Sequence, residues 1–215
     1  MSKGQETRER IIARAAPLFN QQGYSGTSMS DVMQATGLEK GGLYNHFKGK
    51  DELALASFDY NVHLIRRRLA RGLKGVPRRP APRLIAILRA HASVVEELPV
   101  IGGCPILNTA VESDDTHPAL RERAREALDE WRRLIVRLID EGIAAGEFEP
   151  EVDGEELATL LIAGIEGGIM LSKLYDDNVH IHRVLGYWSG YIENKLARGR
   201  VDDRRLRVPP GQDDR

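Results

Sequence analysis

The chain holds one cysteine in 215 residues, 6% aromatics and a formal net charge of only −1. A single cysteine excludes an internal disulfide framework and a cysteine-rich zinc site, and it suits a reducing compartment. The most apolar stretch, residues 157–171, is shorter than a bilayer span and carries Glu166 in its middle, so no membrane partner is expected. The opening MSKGQETRER has no apolar core, so no secretory signal is expected and the protein is assigned to the cytoplasm. Enzyme signatures are missing as well: there is no nucleophile elbow, phosphate-binding glycine loop or HExxH. His180 and His182, two apart, point to different faces of a helix and cannot easily share an ion. Asp114, Asp115 and His117 read as a helix cap and loop. No catalysis, no cofactor and no metal site are expected.

What remains is a globular, all-α composition, 41% hydrophobic and 29% charged, with glycine and proline between helical patterns and no convincing period-two alternation. About nine helices are expected. The first covers residues 7–22, with Ile11, Ile12, Ala15, Leu18 and Phe19 on one stripe and Gly23 as a stop. Pro17 falls inside that stripe, where it withholds a backbone donor. Two short helices follow, one after the cap-rich Thr27-Ser28 and one around residues 40–46. Longer helices are expected at 51–71, 82–97, 105–112, 118–145, 154–175 and 179–197, with a Gly/Pro/Arg-rich linker at 72–82. The charged, proline-containing tail 198–215 is expected to be disordered.

Near-neutrality argues against a nucleic-acid partner until the charge is mapped along the chain. Residues 1–80 hold 14 Lys+Arg against 7 Asp+Glu, and the remainder holds 17 against 25. A basic head on an acidic body points to an anionic partner for the head. Arg66, Arg67, Arg68, Arg71, Arg78 and Arg79 are read as a solvated helix face in preference to a DNA contact, because they lie a helix away from the groove-reading unit.

Two short helices around a glycine turn, buttressed by an earlier amphipathic helix, form a helix-turn-helix, whose second helix enters the DNA major groove. Its leading residues are Lys40, Gly41 and Gly42: a donor for guanine or phosphate, and two positions that let backbone approach closely. Leu43 and Phe47 face the core. Tyr44, Asn45 and His46 are set for phosphate oxygens. Thr27, Ser28 and Lys50 sit at helix N-termini that already favour an anion.

The residues Ile11-Ile12, Ala15, Leu18-Phe19, Gly23-Tyr24, Thr27, Val32, Gly37-Leu38 and above all GLYNHFKGKDEL resemble the DNA-binding domain of the TetR family of bacterial repressors. The resemblance implies an N-terminal three-helix DNA-binding domain at residues 1–50 and a helical effector-binding and dimerisation domain at 51–197. It further implies a homodimer on near-palindromic, double-stranded operator DNA, released by a small molecule, with the last two helices forming a four-helix bundle across the two-fold axis. Two positions depart from the family pattern: Glu39 stands where Ser or Thr is usual, and Gly42 where a small base-reading residue often lies. Direct readout is therefore expected to lean on Lys40 and on backbone or phosphate contacts.

For the effector cavity the candidates are His91, Trp131 and Ile135 on apolar stripes, Glu166 and Met170 on the apolar penultimate helix, and Cys104, Asn108 and Glu112 around the short helix. Such a lining suits a flat or lipophilic small molecule. For the dimer, Leu157, Leu161, Gly164, Gly168 and Leu171 recur at helical spacing, with Leu185, Trp188, Tyr191, Ile192 and Leu196 as a matching stripe. Control by a protein partner in place of a small molecule remains open on these residues alone.

Overall fold

In the computed structural model, residues 2–96 and 101–196 are described; the tail and the ends expected at residues 97 and 197 lie outside them. The described residues form nine α-helices and no sheet. Helix α1 (Lys3–Gly26) begins earlier than the pattern suggests, because Ser2 Oγ accepts from the Gln5 N–H and caps it. Pro17 does not end it, and nothing in the structure explains that residue. Gly23 does break it: its φ of 77° leaves the helical region three residues before the end.

Helix α2 (Met29–Thr36) opens with a reciprocal cap between Ser28 and Asp31 and closes on Gly37, whose left-handed φ of 67° suits a residue without Cβ. Helix α3 (Lys40–Tyr44) is short, and α4 (Lys50–Gly72) is long. Leu43, Phe47 and Leu53 join Ile11, Ile12, Ala15 and Val32 in a small core, which fixes the three-helix head.

Helix α5 (Pro80–Ala92) starts on proline at its first turn and ends in a single 3-10 turn, Ser93–Val95. Helices α6 (Pro105–Ser113) and α7 (Pro118–Ala144) also begin on proline. At the end of α7 the Phe148 ring covers Gly142 so closely that a Cβ there would lie 2.1 Å from the ring; the turn into α8 (Gly154–Tyr175) depends on that glycine. Asp153 caps α8 by accepting from the Glu155 and Glu156 N–H groups. Helix α9 (Val179–Tyr191) passes into a π-turn, Ile192–Leu196.

The larger core joins α4, α5, α7, α8 and α9. Helix α4 belongs to both cores: Leu53 lies in the head, while Phe58, Val62 and Ile65 lie in the body. One rigid rod therefore connects them. Among the described residues α8 alone is long and apolar enough to cross a membrane by composition. One face of it, Leu157, Leu161, Ile165 and Ile169, is buried in the core. Its opposite face is apolar and bare: Leu160, Met170 and Leu174 are 50%, 51% and 71% exposed.

Candidate DNA-reading face and effector cavity

The outer surface of α3 presents Lys40, Gly41, Tyr44 and Asn45, all exposed, while Leu43 is fully buried beneath them. A Cβ on Gly41 would meet nothing within 4 Å, so the helix offers nearly bare backbone at that point. The Lys40 ammonium lies 5.9 Å from the Tyr44 ring centre. His46 is half-buried behind them. Lys50 opens α4 beside the head, its ammonium 4.3 Å above the Tyr24 ring. The α4 start is tied down from two sides: Glu52 accepts from the Lys48 N–H at 2.8 Å and pairs with Arg8 at 3.2 Å. The Lys48 N–H, then Arg8, holds the Glu52 carboxyl below its ordinary range.

One expected DNA contact, Thr27, needs correction. The Thr27 side chain is fully buried, and its hydroxyl donates to the Gly23 carbonyl at 2.8 Å, closing the broken end of α1; it cannot also meet a phosphate. Ser28 stays exposed at the start of α2, where its N–H and hydroxyl donate to Asp31 and its oxygen accepts from the Asp31 N–H.

The Tyr24 hydroxyl donates to Asp51, and that bond, followed by burial, pushes the Tyr24 pKa up to about 12. A raised phenol pKa means that the folded state prefers the neutral ring. The stability it contributes is complete below pH 10 and is lost as pH rises from there to about 12. Alkaline melting curves should therefore fall more steeply for the wild type than for Tyr24→Phe across that window; parallel curves would sink the assignment.

A cavity of about 590 Å³ opens in the body between α4, α5, α6 and α7. Its apolar wall is Val62, Ile65 and Leu69 of α4, Ile106 of α6 and Leu134 of α7. His91 and Trp131 form part of the lining and stack face to face, 3.7 Å between ring centres. Behind them Glu166 and Cys104 both reach His91. Burial, and next the Glu166 charge, pushes the Cys104 thiol well above its ordinary range, so it stays protonated and donates to Glu166. At the mouth Arg66 grips Glu130 through two nitrogens, at 2.6 and 3.0 Å. Arg133 and Arg137 complete the rim. Arg66 keeps half of its side chain in solvent, as expected of a solvated face; what local pattern hid is its pairing with Glu130, which needs α7 packed against α4.

The remaining cavity candidates lie elsewhere. Ile135 is fully buried in the body core and absent from the cavity lining. Met170 lies on the bare outer face of α8. Asn108 and Glu112 project from α6 towards the head and bind α1. The Asn108 amide donates to the Asn20 carbonyl and to the Gly102 carbonyl, each at 3.0 Å. The Glu112 carboxylate accepts from the Tyr24 and Ser25 N–H groups at 2.7 and 2.9 Å. Asn20 reciprocates by donating to the Ile101 carbonyl at 2.7 Å. These polar groups answer backbone donors and acceptors left open where α1 breaks, which explains their place on an otherwise apolar helix.

Part of the expected dimer stripe also needs correction. Leu157, Leu161, Ile192 and Leu196 are buried inside one chain, and Leu185, Trp188 and Tyr191 pack against the same core. Gly164 makes room for Trp188, and Gly168 for Ile181 and Val184, so these two glycines serve the seam between α8 and α9 of a single subunit, while Leu185, Trp188 and Tyr191 stay half-exposed. Leu171 is half-buried at its edge.

Two family models match this chain: "Bacterial regulatory proteins, tetR family" over residues 11–57 and "Tetracyclin repressor-like, C-terminal domain" over residues 80–188. A TetR transcriptional regulator of solved structure from Chloroflexus aurantiacus is 50% identical, covering 92% of this chain and 99% of that one with a TM-score of 0.88. The chain belongs to the TetR family. It is accordingly a helix-turn-helix, DNA-binding transcriptional regulator, with an N-terminal head and a C-terminal helical domain. Among other relatives of this TetR-family regulator, the HTH-type transcriptional regulator LmrA of Bacillus subtilis is 32% identical, over 80% of this chain and 88% of LmrA. The HTH-type transcriptional repressor DhaR of a Mycobacterium species is 26% identical, over 78% and 82% respectively.

Proposed function

We propose that this regulator is a cytoplasmic repressor that holds a near-palindromic operator as a homodimer and is released by a small lipophilic effector. The observation that carries the reading is α4, which begins at Lys50 on the DNA side and continues as a wall of the cavity at Val62, Ile65 and Leu69. A molecule entering the cavity pushes on the rod that carries the head, and the spacing of two heads across a dimer changes with it. A cavity of about 590 Å³ with an apolar wall and an aromatic pair suits a flat, drug-sized molecule. Repression is supported by the likeness to DhaR, a transcriptional repressor.

The dimer is assigned to the outer face of α8 and α9. Leu160, Ala163, Gly167, Met170 and Leu174 recur at intervals of three and four residues, the spacing of a helix–helix seam. Gly167, Gly186 and Gly190 all face open space, where glycine permits close approach of a second copy. Two-fold symmetry then sets the recognition helices about 34–36 Å apart, one turn of DNA.

Footprinting with purified protein tests this reading. Two protected half-sites one turn apart are expected, with protection lost on adding a flat lipophilic compound that also raises the melting temperature. Lys50→Ala should weaken binding to operator and random DNA alike and lower the salt slope by about 1. Tyr44→Ala should weaken both without that change in slope, as a neutral donor to phosphate does. Lys40→Ala should cost about 1–3 kcal/mol on the operator and relax its sequence preference. Equal losses on both DNAs for all three variants would refute this division of roles.

A further inference from the structure

Three side chains distant in sequence converge behind the cavity: His91 of α5, Cys104 at the start of α6 and Glu166 of α8. All three are buried. His91 Nε2 lies 3.0 Å from Glu166 Oε1, Cys104 Sγ lies 3.1 Å from the same oxygen, and Sγ lies 3.6 Å from Nε2. We propose that this cluster is a binding site for one zinc ion, held by the imidazole, the thiolate and the carboxylate, with a fourth position left for water or a cavity ligand.

The donor chemistry selects the ion. One nitrogen, one sulfur and one oxygen suit a borderline cation such as zinc, whereas a hard cation takes oxygen alone. The geometry is close to what the ion needs. Tetrahedral zinc with ordinary bond lengths sets its ligand atoms roughly 3.3–3.6 Å apart. The Cys104–His91 edge already has that length, and the two edges to Glu166 need only open by a few tenths of an ångström.

Charge balance points the same way. The thiol proton passes to solvent and the imidazole keeps its remaining proton on Nδ1. Two anions and a neutral ring then surround a dication, leaving no net charge in an apolar interior. A second observation is independent of the triangle. Glu166 Oε2 is buried without a hydrogen-bond partner, so the carboxylate keeps acceptor capacity that the cluster itself does not use. His91 lines the cavity, which supplies the entry path, and Trp131 stacked on its ring fixes the ring plane. The site stands whether or not the cavity takes an effector.

The test uses reduced, chelator-stripped full-length protein titrated with Co²⁺ alone and then with Zn²⁺. One Co²⁺ per chain is expected, with an intense thiolate-to-cobalt absorption in the near ultraviolet that one equivalent of Zn²⁺ abolishes. Cys104→Ser should lose that absorption. Glu166→Gln should raise the dissociation constant by about tenfold or more. A double H180A/H182A variant should bind as the wild type does. Helical circular dichroism establishes that each variant is folded, and the wild-type absorption stands independently of the variants. Absence of the thiolate absorption in the wild type, or binding that follows His180 and His182, overturns the proposal.

Discussion

Met170→Glu is expected to leave the protein folded, make it a monomer at micromolar concentration and lower operator affinity by a factor on the order of 100 or more. Met170 is 51% exposed on the bare face of α8, so the substitution removes little from the core of one subunit. In a two-fold bundle the new carboxylate would be buried near its own symmetry copy, where like charges are costly. The affinity loss follows because two linked heads rebind one another's half-sites and a single head cannot. Leu161→Ala supplies the contrast nine residues earlier on the same helix. That side chain is fully buried within the subunit, so its truncation should lower stability by about 2–5 kcal/mol. Sedimentation, melting and operator titration separate the two outcomes. A dimeric Met170→Glu, or a monomeric wild type, would end the assignment of this face.

Glu112→Ala should loosen the head from the body. Its carboxylate receives two N–H groups just beyond the Gly23 break, and removing it leaves both seeking other partners. Because the Ser25 N–H is exposed and the Tyr24 N–H is only part-buried, the stability loss is about 1–3 kcal/mol in place of the full value of two charge-assisted bonds. The functional loss is expected to be larger in relative terms: operator affinity down about tenfold, with random-DNA affinity scarcely changed, since productive spacing of the heads has an ordering cost. Amide exchange at Tyr24 and Ser25 should quicken in the variant. If neither exchange nor operator affinity moves, Glu112 is not a coupling residue.

The body helices were legible because their boundaries are local chemistry. Pro105 and Pro118 open α6 and α7, and Asp153 caps α8, so those starts can be read one residue at a time. The head was legible for a related reason: its small core repeats at helical spacing within 43 residues.

Orientation was not legible for α8, which is apolar on two sides; periodicity cannot say whether Leu161 or Met170 turns inward. Long-range polar partnerships were equally hidden. Glu112 and Asn108 looked like pocket groups on an apolar helix, and only the packing of α1 against α6 reveals the backbone they serve. The same holds for His91, Cys104 and Glu166, which share no spacing motif, so an expectation of no metal site drawn from neighbouring residues did not test them.

The bare backbone at Gly41 has a consequence for how such a protein changes its targets. A side chain added there needs no unusual backbone and displaces nothing. On the proposed reading the position is a blank letter facing the DNA. If α3 reads DNA as proposed, one substitution at Gly41 would add a base contact while leaving the packing of the head as it is.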